Sequence, residues 1–175
     1  MVLIHVIVLT IVIVDKHDGN CIQYLELVMI ITTRTHYAVQ TLLDLVLHHG
    51  EETLVPLKDI AKRQGISQTY LEHIITALVS NGILRTVRGP KGGIKLAKSA
   101  KEVNLKAIVE IMQGSFDPVE CLVDARTCPR SNLCAARDTW EELKAAIEKV
   151  LTATTLRDMA DRQNNKLKTE NMYYI

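Results

Sequence analysis

Aromatic side chains are scarce: one Trp, one Phe and five Tyr amount to 4% of 175 residues. Any core is therefore aliphatic, and an apolar content of 47% is enough to build one. Cysteine is scarce too, with three of the four falling between 121 and 134. So few, so grouped, argues for a reducing cytoplasm and against a disulfide-stapled secreted scaffold. No Cys-x-x-Cys pair occurs, and no histidine lies near the three cysteines. Thiol catalysis lacks its usual partners, so the chain is read as a non-enzyme without a small-molecule substrate. The net charge is only +1, which by itself identifies no partner. No apolar run is long enough to span a bilayer as a helix, so no membrane role is expected.

The β-branched run from Met1 to Val14 is the nearest approach to such a segment. It lacks the basic start and small-residue cleavage site of a signal peptide, and its composition suits a strand or a pair of strands. A coherent domain opens at Met29. Residues 1–28 are accordingly expected to be an extension arising from a mis-called start, and Cys21 within them is given no role.

Charge is unevenly spread. Residues 29–98 carry nine Lys/Arg against five Asp/Glu, whereas residues 99–175 carry eleven against twelve. The front half is mildly basic, as a nucleic-acid-binding face would be. Ala38, Val39, Leu42, Leu43 and Val46 form a helical stripe closed by Gly50. Pro56 suits the first turn of a short helix from Leu57 to Arg63, and Gly65 makes the turn after it. Ser67 is a good N-cap, Ile66 and Leu71 suit a hydrophobic staple, and Leu71, Ile74, Ile75 and Leu78 share one buried face. Asn81-Gly82 ends that helix. Short helix, glycine turn and capped helix together make a helix-turn-helix.

Ile83 to Arg88 and Ile94 to Leu96 read as strands around Gly89-Pro90-Lys91-Gly92-Gly93, a wing whose glycines allow close backbone approach to a phosphate. The expected fold is mainly α with a small β wing: a winged helix-turn-helix over 29–98. Arg88 and Lys91 sit at the wing tip. Gln68, Thr69, Glu72, His73 and Thr76 face away from the apolar stripe, with Gln68 and Thr69 at the end that enters a major groove. A winged helix used only for protein contacts is the plainer alternative.

Residues 99–160 follow as a second region. Asn104 caps a helix from Leu105 to Met112, and Gly114 stops it. Cys121, Cys128 and Cys134 come next, with six and then five residues between them, in what reads as a loop. Ser131 or Asn132 is expected to cap a helix with Cys134 in its first turn. Grouped thiolates suit zinc or an iron–sulfur cluster, one ligand short; a reduced loop or a disulfide with one thiol left over is equally open. Leu133, Ala136, Trp140, Leu143, Ile147 and Val150 step by 3, 4, 3, 4, 3, a heptad seam along a helix from about Leu133 to Thr152. That seam suits pairing with a second copy through Leu133, Trp140, Leu143 and Ile147, or packing on the first helix. Thr155 and Asp158 form a capping box for a last short helix. The polar tail 161–175 is expected to be disordered.

Several segments carry a resemblance: Thr35-His-Tyr-Ala-Val, Val55-Pro-Leu-Lys-Asp-Ile-Ala, Gly65-Ile-Ser-Gln-Thr-Tyr-Leu-Glu, Asn81-Gly-Ile-Leu and Val87-Arg-Gly-Pro-Lys-Gly-Gly, with the cysteines behind them. From residue 29 to about 160 the chain resembles the IscR/NsrR family of bacterial winged-helix regulators. The resemblance implies a homodimeric repressor or activator on a palindromic double-stranded DNA operator. It implies a cluster, of the 2Fe-2S type, on Cys121, Cys128 and Cys134, and DNA contacts by Ser67, Thr69, Tyr70, Glu72 and Arg88. Iron–sulfur assembly genes are the first expected targets. A nitric-oxide-sensing repressor, or a cluster-free regulator of cysteine metabolism responding to redox state or a partner, is the alternative.

Two departures matter. Cluster-bearing members have five residues in each gap, whereas the first gap here has six. The IscR branch takes its fourth ligand, a histidine, three residues after the last cysteine, where this chain has Arg137, which cannot ligate. The NsrR branch takes a carboxylate from the partner's first helix, and the matching position here is His36. His36 is therefore the expected fourth ligand, with Asp124 and Asp138 behind it.

Overall fold

A computed structural model describes residues 31–48, 53–89 and 92–172. The readings placed on residues 1–28, Gly50 and Lys91 lie outside these. The described residues belong to one compact unit.

Helix α1 (Thr33–His48) buries Ala38, Leu42 and Leu45. Helix α2 (Leu57–Gln64) starts after Pro56, which is the N-cap and so stands just outside the helix. Gly65 ends it in the left-handed conformation, φ 65°, where a Cβ is costly. Helix α3 (Gln68–Ser80) is capped by Ser67, whose side chain accepts a hydrogen bond from the Tyr70 backbone N–H at 3.2 Å. Leu71, Ile74, Ile75 and Leu78 are its buried face, as the spacing requires. Asp44 ties α1 to α2: Arg63 donates to its carboxylate through Nε at 2.9 Å and Nη2 at 2.6 Å. That carboxylate is 2% exposed, and the two-point guanidinium contact makes burying its charge tolerable.

Strands β1 (Leu84–Val87) and β2 (Gly93–Leu96) pair antiparallel, with Arg85 opposite Lys95 and Val87 opposite Gly93. Val55 adds a bridge on the far side of β2 through reciprocal 2.9 Å bonds with Ile94. Two glycines are required by these contacts. A Cβ on Gly93 would overlap the Val55 backbone, and one on Gly92 would overlap the Val87 carbonyl. Their smallness thus serves close approach within the fold itself.

The core continues past residue 98, since Ala100, Val103, Ile108, Met112 and Leu156 are buried in the same cluster as Leu42 and Leu71. Asn104 caps helix α4 (Leu105–Gln113) by accepting from the Ala107 N–H at 2.9 Å. Helix α5 (Glu120–Val123) is one turn, and helix α6 (Ala135–Ala153) packs on α4 and α5.

The capping box before helix α7 (Leu156–Met172) forms as expected, with the Thr155 N–H donating to Asp158 at 2.9 Å and the Asp158 N–H returning to Thr155 Oγ1 at 3.1 Å. This helix does not stop near Asp161. The expected disordered tail is helical to Met172, for two local reasons. No Gly or Pro occurs from 156 to 172, and Arg157 pairs with Asp161 one turn on. Among the described residues, no helix is long and apolar enough to cross a membrane.

Candidate nucleic-acid interface and cysteine segment

The outward side of α3 is built as the sequence requires. Thr69, Glu72, His73 and Thr76 are exposed, as are Ser67 and Gln68 at the N-terminal end. Gln68 donates to Glu72 at 2.9 Å, so these two expected base readers are held against each other in the free protein. Tyr70 is placed differently. It is half-buried on the edge of α3, its ring 5.9 Å from that of Tyr37 in α1 with the planes at 85°. An edge-to-face pair of this kind fixes the start of α3 against α1. Arg88 is exposed at the end of the wing, and the outer strand faces add Arg85 opposite Lys95. Arg85 had no sequence signal, because only strand register shows which side it faces.

The cysteine segment is more ordered than a loop. Cys121 lies within α5; Cys128 ends a 3-10 turn, Ala125–Thr127; Cys134 follows a second, Ser131–Leu133. Cys134 is the N-cap of α6 and its side chain makes no capping bond, so neither Ser131 nor Asn132 caps that helix. Ser131 is instead buried, and its N–H donates to the Cys128 carbonyl at 3.0 Å. Arg137 braces the segment. Its backbone N–H donates to the Cys134 carbonyl at 3.0 Å and its Nε to the Cys121 carbonyl at 3.3 Å. A second tie comes from Lys144, 2.5 Å from Asp117. The Lys144 ammonium, then the Ser115 hydroxyl, hold the Asp117 carboxyl below its ordinary range.

All three cysteines are free thiols and half-buried. Three soft donors without a disulfide suit an iron–sulfur cluster by chemistry. Among the described residues, however, no three His, Cys, Asp or Glu side chains converge as a metal-binding group. His36 is exposed on α1, its ring 5.8 Å from that of Tyr37. Asp124 is engaged elsewhere, accepting from Arg126 Nη2 at 2.8 Å and capping the turn before Cys128; the Arg126 guanidinium lowers its pKa. Asp138 lies exposed in the first turn of α6.

The heptad seam is uncovered. Trp140 is 40% exposed, Leu143 42% and Val150 63%, while Ile147 is half-buried. Leu133 is 94% exposed but belongs to the 3-10 turn ahead of α6, so it flanks the seam from outside the helix.

Comparison with known proteins agrees with this architecture. The profile of the Rrf2 family, described as an iron-dependent transcriptional regulator, matches residues 31–162. The HTH-type transcriptional regulator IscR of Serratia proteamaculans is 37% identical over 146 residues, covering 78% of this chain and 88% of that protein. Protein rrf2 of Nitratidesulfovibrio vulgaris is 38% identical over 131 residues, covering 75% and 87%. Among solved structures, CymR, the global cysteine regulator of B. subtilis, is 30% identical with a TM-score of 0.64, covering 75% of this chain and 96% of that one. T. potens IscR is 35% identical with a TM-score of 0.61, covering 76% and 87%. These proteins are regulators, not enzymes, and the fold they share with this chain is the winged helix. The chain belongs to the Rrf2 family of DNA-binding transcriptional regulators.

Proposed function

We propose that this regulator binds a palindromic operator as a cytoplasmic homodimer and that an iron–sulfur cluster of the 2Fe-2S type controls the binding, with iron–sulfur assembly genes as targets. Cys121, Cys128 and Cys134 hold the cluster, and His36 of the opposite subunit completes the set. Ser67, Gln68, Thr69, Tyr70, Glu72, Arg88 and Lys91 meet the DNA. The observation that carries the reading is the segment 121–134: three free, half-buried thiols braced by Arg137 on a helix whose apolar seam is exposed. Burying Trp140, Leu143 and Ile147 against a second copy brings two recognition helices to half-sites about one DNA turn apart.

When bound, the cluster supplies redox chemistry that responds to iron, oxidants or nitric oxide. The protein supplies the coupling. Lys106 of α4 lies 3.6 Å from Glu148 of α6, Gln113 of α4 accepts from the Thr35 hydroxyl of α1 at 2.6 Å, and Tyr37 of α1 meets Tyr70 of α3. Holding the cysteine segment and His36 together therefore favours one arrangement of α1 and α3 over others.

Anaerobic purification tests the reading. The expected protein is coloured, contains iron, and loses cluster retention or changes its spectrum when His36 is replaced by Ala or Cys. Unchanged iron and spectrum in both variants remove His36 from the ligand set. A colourless, iron-free protein supports a second reading, favoured by the likeness to CymR: a cluster-free regulator of cysteine metabolism whose thiols respond to oxidation or to a partner.

A further inference from the structure

We propose that Arg34, together with His73, grips a phosphate of the DNA backbone beside the recognition helix, a contact additional to the wing. The inference rests on the DNA-binding reading of α3. Arg34 and His73 line one open groove of about 470 Å³ with Tyr70, Thr76 and Ala77. The donors come from two elements: the first turn of α1 and the outward edge of α3. Both side chains are exposed.

Arg34 is poorly placed for stability. It sits in the first turn of a 16-residue helix whose first turn holds no acidic residue, so a cation faces the positive end of the helix dipole. None of the ion pairs among the described residues involves it. An anion arriving in the groove relieves both the guanidinium and the dipole. Proteins break local rules of this kind at functional or strained positions.

The placement fits a duplex. Successive residues of α3 are turned by about 100°. With Leu71, Ile74, Ile75 and Leu78 inward, Thr69 and Thr76 point out, and Tyr70, His73 and Ala77 form one edge. Val79 lies on the opposite edge, where it lines a second groove with Arg85 and Lys98. A recognition helix in the major groove has a phosphate strand along each edge. The wing serves one strand and Arg34 with His73 the other.

The test measures binding of a fluorescently labelled duplex of mixed sequence across a salt series, for wild type, Arg34→Ala and Arg34→Lys, with thermal unfolding in parallel. The expected result is weaker binding by Arg34→Ala with a log–log salt slope shallower by about 0.9 for each phosphate no longer neutralised, a slope retained by Arg34→Lys, and an unfolding temperature no lower than wild type. Arg34→Ala with an unchanged slope overturns the inference while leaving DNA binding standing. A lowered unfolding temperature with an unchanged slope assigns Arg34 to structure and also overturns it. Wild-type protein that does not bind the duplex even at low salt removes the DNA-binding reading itself. Inorganic phosphate, at matched ionic strength, raising the unfolding temperature of wild type but not of Arg34→Ala, together with a salt slope that Arg34→Ala leaves unchanged, identifies a free-anion site and overturns the assignment to DNA.

Discussion

Tyr37 of α1 and Tyr70 of α3 meet edge-to-face, 5.9 Å between ring centroids and 85° between planes. Tyr37 directly follows His36, and Tyr70 is the residue whose N–H the Ser67 cap receives. One ring contact therefore joins the expected fourth-ligand position to the first turn of the recognition helix. Replacing Tyr37 with Leu removes the ring pair, worth about 0.5–1.5 kcal/mol, and is expected to narrow the difference in operator affinity between cluster-loaded and cluster-free protein. A gel-shift ratio identical to wild type would show that coupling bypasses this contact.

The wing depends on a glycine. Gly93→Ala must push β2 away from Val55, because the added Cβ overlaps the Val55 backbone. The expected loss is about 1–3 kcal/mol, typical of overpacking, seen as a lower urea midpoint, with weaker DNA binding as the wing shifts. Stability equal to wild type would mean the Val55–Ile94 bridge yields at no cost.

Thr41 offers a stabilising change. Its hydroxyl is fully buried in α1 without a hydrogen-bond partner. Thr41→Val keeps the shape and removes the unsatisfied group, so a gain of about 1 kcal/mol is expected in chemical denaturation. A loss would reveal that the hydroxyl is satisfied in solution.

The Asp117–Lys144 contact makes stability depend on acid. The Asp117 pKa is lowered in the folded protein, so its contribution is fully present above the unfolded carboxyl pKa of about 3.9 and is lost as pH falls through the lower folded value. Urea midpoints measured from neutral pH into the acid range should fall less steeply for Asp117→Asn than for wild type. Parallel curves would place the acid sensitivity elsewhere.

The seam on α6 is testable by charge. Leu143 is 42% exposed in the single chain. Leu143→Asp puts an unpaired carboxylate into the proposed dimer contact, where desolvation is costly. Light scattering should report a monomer that keeps its helical circular dichroism. A dimer of wild-type stability assigns the contact to another face.

What the sequence by itself determined is local. Ser67, Asn104 and the Thr155–Asp158 box each satisfy backbone donors within three residues, and Gly65 supplies a left-handed turn, so these helix ends and the helix-turn-helix were legible without packing, whereas the start of α6 and the end of α7 were not. The buried face of α3 followed from a 3.6-residue period; on α1 the expected stripe holds for Ala38 and Leu42, but Val39, Leu43 and Val46 are only half-buried, and packing turns Thr41, Asp44 and Leu45 inward instead. The tertiary structure alone decided the contacts between residues far apart in the chain: Arg63 on Asp44, Arg137 on the Cys121 carbonyl, Gln113 against Thr35, and Tyr37 against Tyr70. It also decided that Gly92 and Gly93 answer to Val87 and Val55. The physical reason is that caps and turns are set by bonds to near neighbours. A brace between helices depends on how those helices cross, and periodicity says only which faces are apolar, not which polar group on one helix meets which carbonyl on the next.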